Sequence, residues 1–289
     1  FNVTVVDNEL PTITCPADVN AVADLDECSI IGSSVNLGTP TTDDNCAVDI
    51  VSNDAPGVYP VGTTIVTWTV QDIHGNIQTC EQQVIVEDDQ APIISSCGVV
   101  GNLDVDSDAG VCTYTHIGTG WDVVATDNCT SITSEVTLSG ATVFTGASLD
   151  GVTFNSGLTL VTWTVTDDAN NVSTCDFTIT IEDTEDPVIT SCVGSNQTVD
   201  ADLDECTYTV QDDAWDATAT DNCGIVVITA ELTGATVMSG LSTLQGVSFN
   251  LGTTTVTWTV EDNAGNSVQC IFDVVVEDNQ LPALVACVG

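Results

Sequence analysis

Cysteine and aspartate are the two residue types in this sequence whose number and spacing could do chemistry. The chain of 289 residues has 13 cysteines and 43 acidic residues, but neither lysine nor arginine. Thiols can form disulfides, bind a soft metal ion or act as nucleophiles, whereas carboxylates bind hard cations or transfer protons. Because no lysine or arginine can pair with them, the carboxylates must face water, take up protons or bind metal ions.

The acidic side chains concentrate in three kinds of short segment: one before a proline, one in an Asp-Asn-Cys triplet, and one in a hairpin turn. Ca²⁺ takes about six to eight oxygen ligands, and it would neutralise such clusters, so we expect calcium as the cofactor. The candidate ligands are Asp7, Glu9, Asp44, Asn45, Asp72, Glu87, Asp88, Asp89, Asp127, Asn128, Asp167, Glu182, Asp183, Asp221, Asn222, Asp262, Glu277 and Asp278. The alternative is a solvated acidic coat, in which loop aspartates only favour turns.

The cysteines fall into three sets of four, and Cys287 is left over. The sets are Cys15, Cys28, Cys46 and Cys80; Cys97, Cys112, Cys129 and Cys175; and Cys192, Cys206, Cys223 and Cys270. The sequence has no C-x-x-C spacing of the kind that would favour a zinc site, and a reactive thiolate would need nearby positive charge. Regularly spaced cysteines therefore indicate disulfides, an oxidising compartment, and an extracellular or cell-surface location.

The formal net charge of −43 excludes several classes of partner. Nucleic acid binding depends on lysine and arginine to displace phosphate counterions, and an anionic membrane surface would repel this chain. No run of 18 or more apolar residues is present, so the sequence predicts no insertion into a membrane.

Internal repeats set the positions of both residue types. Trp68, Trp163 and Trp258 follow one another at a spacing of 95 residues, and an acidic segment ending in proline recurs at Pro11, Pro92, Pro187 and Pro282. We expect repeats at 11–91, 92–186 and 187–281. Residues 1–10 would be the last strand of a preceding repeat with its linker, and 282–289 the start of a fourth.

Each repeat has the pattern of a β-sandwich. From Cys175 to Glu182, Cys175 and every second residue after it are apolar, while the residues between are polar. This alternation is typical of a strand with one buried face. Gly-Asn or Asn-Asn before the strand favours a hairpin turn. Several short strands in each repeat predict an all-β chain of tandem immunoglobulin-like sandwiches.

The repeats resemble the hyalin repeat (HYR) domain family. In the first repeat the matching residues are Cys15-Pro16, Asp44-Asn45-Cys46, Pro60 to Thr64, and Asp72 through Asn76 to Cys80. The second and third repeats lack the proline and carry insertions, Ser134 to Leu158 and Ala230 to Leu251, which we expect to add a hairpin. The resemblance implies an immunoglobulin-like extracellular module of adhesion proteins and large bacterial surface proteins.

Four cysteines allow three pairings, and their spacing alone does not decide between them. We favour the first with the fourth, since the opening and closing strands of such a sandwich run side by side, and the second with the third, which lie about a shared turn. The favoured bridges are Cys15–Cys80, Cys28–Cys46, Cys97–Cys175, Cys112–Cys129, Cys192–Cys270 and Cys206–Cys223, with a partner for Cys287 outside the chain. The alternative pairing joins the first cysteine of each set to the second, and the third to the fourth.

The sequence therefore predicts a structural spacer or filament-forming segment of a giant extracellular surface protein. Disulfides within repeats and calcium between them would stiffen it, and its partners would be neighbouring repeats or identical chains. The alternative is a glycan- or protein-binding adhesion module that uses the loops and insertions. We expect no enzyme, because the acidic residues recur with the repeat and form no unique constellation.

Overall fold

The computed structural model describes residues 1–129 and 131–282, with the backbone alone at Val226. Its regular structure is strand, apart from one short 3-10 helix at Gly32–Ser34 in the described part of the chain. Every strand pair within those residues falls inside one of three consecutive units. The chain is thus an all-β array of tandem immunoglobulin-like sandwiches.

Unit one is built on a four-stranded sheet in the order β2-β8-β7-β5, with the two-stranded sheets β1-β4 and β3-β6 beside it. Its strands are β1 Thr12–Thr14, β2 Val19–Val22, β3 Ser29–Ile31, β4 Thr41–Asp43, β5 Val48–Asn53, β6 Val58–Pro60, β7 Gly62–Asp72 and β8 Ile77–Glu87.

Units two and three each have a larger main sheet of five strands, because the insertion in each unit adds one strand. The order is β10-β17-β16-β13-β14 in unit two and β19-β26-β25-β22-β23 in unit three. Unit two has β9 Ile93–Ser96, β10 Leu103–Asp106, β11 Thr113–Thr115, β12 Val124–Thr126, β13 Ile132–Gly140, β14 Phe144–Gly146, β15 Thr153–Asn155, β16 Gly157–Asp167 and β17 Val172–Glu182. Unit three has β18 Val188–Ser191, β19 Gln197–Asp200, β20 Thr207–Thr209, β21 Thr218–Thr220, β22 Ile225–Gly234, β23 Met238–Leu241, β24 Ser248–Asn250, β25 Gly252–Asp262 and β26 Ser267–Glu277.

The antiparallel pairs β13-β14 and β22-β23 are the hairpins predicted for the insertions.

The two long strands of each unit supply its core through alternation. In β25, Val256, Trp258 and Val260 are fully buried on one face, and the partner strand β26 adds Phe272 and Val274. Threonines occupy much of the opposite face of β25, where period-2 geometry directs them outward. The turn between the strands uses a left-handed residue in each unit, Gly75, Asn170 or Gly265, as the Gly-Asn and Asn-Asn patterns predict.

Strand register decides which loops lie at which end of a unit. In unit one, Thr12 of β1 faces Asp43 of β4, so the loop after β4 lies beside the linker that enters the unit. Strand β2 runs parallel to β8, with Val22 beside Glu87, so the loop after β2 lies beside the linker that leaves it. The other two units repeat both pairings.

The two ends of the chain were predicted to contain parts of neighbouring repeats. Residues 1–10 form no strand, although the last strand of a preceding repeat was predicted there, because no described strand pairs with them. The predicted start of a fourth repeat at 282–289, including Cys287, lies outside the described residues apart from Pro282 at their edge. In the described part, no helix has the length and hydropathy needed to cross a membrane.

Candidate metal centres and disulfides at the junctions

Three aspartates meet at the entry end of every unit, where their carboxylate oxygens lie within 4.8 Å of one another. In each group one comes from the entering linker, one from the Asp-Asn-Cys loop and one from the β-hairpin turn; we call these the linker, loop and hairpin aspartates. The clusters are Asp7, Asp44 and Asp72; Asp88, Asp127 and Asp167; and Asp183, Asp221 and Asp262. These nine are the predicted calcium ligands that the fold brings together.

The linker aspartates turn one oxygen toward the backbone and the other into the cluster. The Oδ1 of Asp88 accepts the backbone N–H of Gln90 at 3.1 Å, and the Oδ1 of Asp183 accepts that of Glu185 at 3.3 Å. The Oδ2 atoms of both are buried and make no hydrogen bond with any described residue. An acceptor that is buried without a donor is costly, so these oxygens are suited to a cation.

Asp7 follows the same pattern at the entry to unit one, where its Oδ1 accepts the N–H of Glu9 at 3.0 Å. That hydrogen bond is the main reason why the pKa of Asp7 lies below its ordinary value. The ring Nδ1 of His74 lies 3.4 Å from Oδ2 of Asp7, and the two form an ion pair when the imidazole is protonated. No histidine occupies this position in the other clusters.

The loop aspartates use one oxygen to fix their own turn. The Oδ1 of Asp221 accepts the N–H of Cys223 at 2.7 Å, and the Oδ1 of Asp127 accepts that of Cys129 at 2.9 Å. The Oδ2 of Asp221 is buried and has no hydrogen-bond partner among the described residues. The unpaired oxygen of Asp221 therefore results from the local turn geometry that the Asp-x-Cys spacing provides.

The hairpin aspartates are held most firmly. The Oδ1 of Asp262 accepts the backbone N–H groups of Ala264, Gly265 and Asn266 at 2.8, 2.7 and 2.9 Å, and its Oδ2 accepts Nδ2 of Asn266 at 2.8 Å. Burial raises the pKa of Asp262, but these donors outweigh it, so the pKa lies below the ordinary value. The same balance lowers the pKa of Asp72.

The asparagine that closes each hairpin also ties its unit to the entering linker. Nδ2 of Asn266 donates to the backbone carbonyl of Asp183 at 3.0 Å, and Nδ2 of Asn171 donates to that of Asp88 at 3.1 Å. Sequence reasoning used this residue only as a turn signal. Its recurrence after every hairpin aspartate was the available evidence for a second role.

The dimensions and chemistry of the clusters fit a hard cation. Ca²⁺–oxygen distances are about 2.3–2.6 Å, so two ligands on one ion stand at most about 5 Å apart, and the oxygens of each cluster all lie within 4.8 Å of one another. Cys46 and His74 also approach Asp7, but zinc needs a thiolate. Hydrogen bonding to Asp7 raises the pKa of Cys46, which opposes zinc binding.

The remaining predicted ligands lie outside these clusters. Glu87 is exposed because its neighbour Val86 faces the core, and the same alternation turns Glu182 and Glu277 outward. The side chain of Asn128 donates to the carbonyl of Glu27 at 3.0 Å, so its amide serves a contact between units. Glu9, Asp89 and Asp278 belong to none of the clusters found among the described residues. Nδ2 of Asn45 donates to Glu9 at 2.9 Å, and Nδ2 of Asn222 donates to Oδ1 of Asp183 at 3.2 Å, so the amide of Asn222 borders the third cluster.

A linker glutamine or glutamate clamps the loop that carries the second cysteine of the preceding unit. Gln90 accepts the N–H of Asp26 at 2.7 Å and donates through Nε2 to the carbonyl of Asp24 at 3.1 Å. Glu185 accepts the N–H of Gly110 at 2.9 Å in the same way. Gln280 holds the loop of unit three, accepting the N–H of Asp204 at 3.0 Å and donating to the carbonyl of Asp202 at 2.8 Å. The loops 24–28, 108–112 and 202–206 thus bind the linker that follows their unit through their backbone.

Three disulfides join the first and fourth cysteines of a unit, which agrees with the pairing favoured from sequence. They are Cys15–Cys80, Cys97–Cys175 and Cys192–Cys270, with Cα–Cα distances of 5.8, 6.0 and 6.6 Å. Each links the entry segment to the closing long strand of its own sandwich.

The predicted pairing of second with third cysteines is wrong in this structure. Cys112 of unit two bonds to Cys223 of unit three, with a Cα–Cα distance of 4.8 Å, instead of Cys112–Cys129 and Cys206–Cys223. Cys28 and Cys46 are thiols rather than the predicted bridge. The reason is topological: the second cysteine lies at the exit end of its unit and the third at the entry end, so they face different neighbours.

Fold and sites together define a class: an extracellular array of disulfide-bonded β-sandwich units joined at acidic junctions. Comparison with known proteins agrees, since the model of the HYR domain matches residues 6–86 and 182–276. The chain belongs to the HYR domain family. Residues 92–181, outside those matches, fold into the same strands as unit three.

Among its relatives, hyalin of Lytechinus variegatus is 29% identical over 300 residues, covering 100% of this chain and 51% of that protein. Hyalin of Strongylocentrotus purpuratus is 30% identical over 96% of this chain and 21% of its own length. A serine-rich adhesin for platelets from Staphylococcus aureus is 30% identical over 62% of the chain and 7% of its own length. The chain therefore spans about half or less of each. It is an extracellular or cell-surface adhesion or structural repeat protein.

Among solved structures, mouse cadherin-23 EC22-24 matches at 15% identity and a TM-score of 0.35, covering 94% of this chain and 100% of that one. A protocadherin gamma B4 extracellular domain gives 11% identity and a TM-score of 0.34, covering 94% of this chain and 51% of that one.

Proposed function

We propose that this chain is a non-enzymatic spacer or filament-forming segment of a large extracellular protein, with calcium stiffening its junctions. The observation that carries the proposal is the triple recurrence of a carboxylate cluster built from the linker and two loops of the following unit. A cation bound there would hold the linker to the unit that it enters. Hyalin and a staphylococcal adhesin among the relatives support an extracellular structural or adhesive role.

Calcium would act on the orientation between units as well as on the stability of the unit whose loops hold it. Every cluster combines one linker aspartate with two aspartates from the entry loops of the following unit, and the linker carbonyl is already held by the hairpin asparagine, as in Asn171 with Asp88. Neutralising the cluster removes the repulsion that would push the linker away. The partners of this segment are then neighbouring units, and identical chains where filaments form.

Small-angle X-ray scattering of the chain, in calcium and in EGTA, tests the proposal. The spacer predicts a single extended particle in calcium and a broader distribution of maximum dimensions in EGTA. A compact or broadly bent ensemble in both solutions would contradict a stiff spacer.

The alternative is a glycan- or protein-binding module that uses the inserted hairpins. It is supported by two equivalent exposed valines beside the hairpin tips, Val143 and Val237, whose side chains are 83% and 76% exposed. A glycan array and a pull-down, each comparing the chain with a Val143→Ser/Val237→Ser variant, test it. Binding that the variant loses supports the module, and no binding by either protein counts against it.

A further inference from the structure

Cys28 of unit one and Cys129 of unit two meet at the first junction in the same setting as the bonded pair at the second. Nδ2 of Asn128 donates to the carbonyl of Glu27, the residue before Cys28, at 3.0 Å. At the second junction, Nδ2 of Asn222 donates to the carbonyl of Val111, the residue before Cys112, at 3.2 Å. The two asparagines precede Cys129 and Cys223, so the four cysteines are placed by equivalent contacts.

The backbone around each cysteine is also equivalent at the two junctions. The loop before Cys28 closes with Glu27 N–H on the carbonyl of Asp24 at 3.0 Å, and the loop before Cys112 closes with Val111 N–H on that of Asp108 at 3.1 Å. The linker side chain clamps both loops, through Gln90 at the first junction and Glu185 at the second.

The Asp-Asn-Cys turns match as well. Cys129 donates its N–H to Oδ1 of Asp127 at 2.9 Å, as Cys223 does to Oδ1 of Asp221 at 2.7 Å.

The two thiols of the first junction lie against each other. The Sγ of Cys129 is 3.8 Å from the carbonyl oxygen of Glu27, so it points at the residue that precedes Cys28 in the chain. The thiol of Cys129 is also within hydrogen-bonding contact of the thiol of Cys28. Both side chains are thiols here, and both are partly buried.

We propose that Cys28 and Cys129 form a disulfide in the oxidised protein, so that both junctions between the three units are closed covalently. The bridge forms by thiol–disulfide exchange with an external disulfide, such as an oxidised dithiol oxidoreductase or oxidised glutathione. The two protein thiols give up two protons and two electrons, one S–S bond forms, and the external disulfide is reduced to two thiols. The same oxidant serves the four bridges already present.

Such a bridge changes how the array carries load. The bridge between Cys112 and Cys223 and the proposed bridge between Cys28 and Cys129 each run from the exit loop of one unit to the entry loop of the next, parallel to the linker. A pull along the chain is then shared between the linker and a second covalent connection. This inference does not depend on calcium and would stand if the clusters bind none.

Peptide mapping of the whole chain, made in an oxidising compartment, tests the proposal. Free thiols are blocked with N-ethylmaleimide under denaturing conditions, and the unreduced protein is cut before aspartate, since trypsin has no site in a chain without lysine and arginine. Cys28 is the one cysteine of fragment 26–42, and Cys129 is the one cysteine of fragment 127–149. The proposal predicts that these two fragments run as one linked species until reduction.

The established bridge is the control in the same digest, because fragment 108–121 must appear linked to fragment 221–261. In a Cys28→Ser variant, Cys129 should change from unlabelled to fully labelled, whereas Cys112→Ser should free Cys223 and leave Cys129 unlabelled. Recovery of both 26–42 and 127–149 as separate maleimide adducts from the wild-type chain, beside an intact control bridge, would overturn the proposal. So would a link from Cys28 to any other cysteine.

Discussion

Replacing Asp221 by asparagine should have opposite effects on stability with and without calcium. Asparagine keeps the acceptor that the N–H of Cys223 uses, so the turn is preserved. The other oxygen of Asp221 is buried, without a donor among the described residues, and faces the carboxylates of Asp183 and Asp262. The substitution removes one charge of three and puts an N–H donor in their midst.

The magnitude follows from the spacing of the cluster. Two unit charges within 4.8 Å of each other repel by at least about 3.5 kcal/mol at an effective dielectric constant near 20, and by at least about 0.9 kcal/mol in bulk water. The substitution relieves two such pairs. Since the cluster is partly open to water, we take the lower end, about 2 kcal/mol in favour of the calcium-free variant. For a unit of this size that corresponds to a rise in Tm of roughly 10 °C.

With calcium bound, the same change should be unfavourable, because the ion loses one of three charged ligands. Each tenfold loss of affinity removes about 1.4 kcal/mol of the stabilisation that saturating calcium gives. Thermal unfolding of wild type and variant, in EGTA and in millimolar calcium, measures both effects. Asp213→Asn is the matched control, since Asp213 is exposed and lies outside every cluster. A variant that is less stable by the same amount in both solutions would refute the reasoning, since Asp221 would then be structural only.

Three further changes have defined outcomes. His116 is buried against Trp121, and burial lowers its pKa. The unfolded state therefore binds the proton of this histidine more readily than the folded state. The free energy of unfolding is then at its full value above pH 6.5 and falls below that pH, by at most about 1.4 kcal/mol per pH unit. His116→Val, which installs the residue of unit three at Val210, should abolish that slope in urea titrations from pH 7.5 to 5.5, and an unchanged slope would contradict it. The bridge of unit two joins residues 78 apart in sequence. Its removal with Cys97→Ala/Cys175→Ala should lower the free energy of unfolding, measured in urea, by about 4.5 kcal/mol. A decrease below about 1 kcal/mol would contradict the loop-entropy explanation. Gln90→Ala removes two hydrogen bonds to the loop 24–28 and should lower the free energy of unfolding by about 1–2 kcal/mol. Amide hydrogen exchange should become faster in that loop but not in the loop 202–206, where Gln280 is intact.

Much of the fold follows from the sequence because alternation and turn residues act locally. The Trp258 strand and the Gly265 turn are set by their immediate neighbours, and the three aspartates of a cluster are each marked by a recurring motif. Alternation also argues against Glu87 as a ligand, since Val86 next to it must face the core. That conclusion was available from the sequence but was not drawn.

The pairing of Cys112 was beyond the reach of spacing arguments. It depends on strand β10 running parallel to β17, with Asp106 beside Glu182, which places the following loop at the exit of unit two. Parallel pairing between the second and last strands is a long-range contact that no local pattern encodes. Once the two ends of a unit are known, the second and third cysteines cannot meet within it.

Counting the calcium ions bound to the intact chain tests the central claim most directly. Native mass spectrometry of the folded protein, exchanged from calcium into a volatile buffer, should show three ions per chain, one for each carboxylate cluster. The Asp221→Asn variant should lose one of the three, whereas Asp213→Asn should retain all. A chain that carries no specifically bound calcium, or a count that the Asp221 substitution leaves unchanged, would contradict the account.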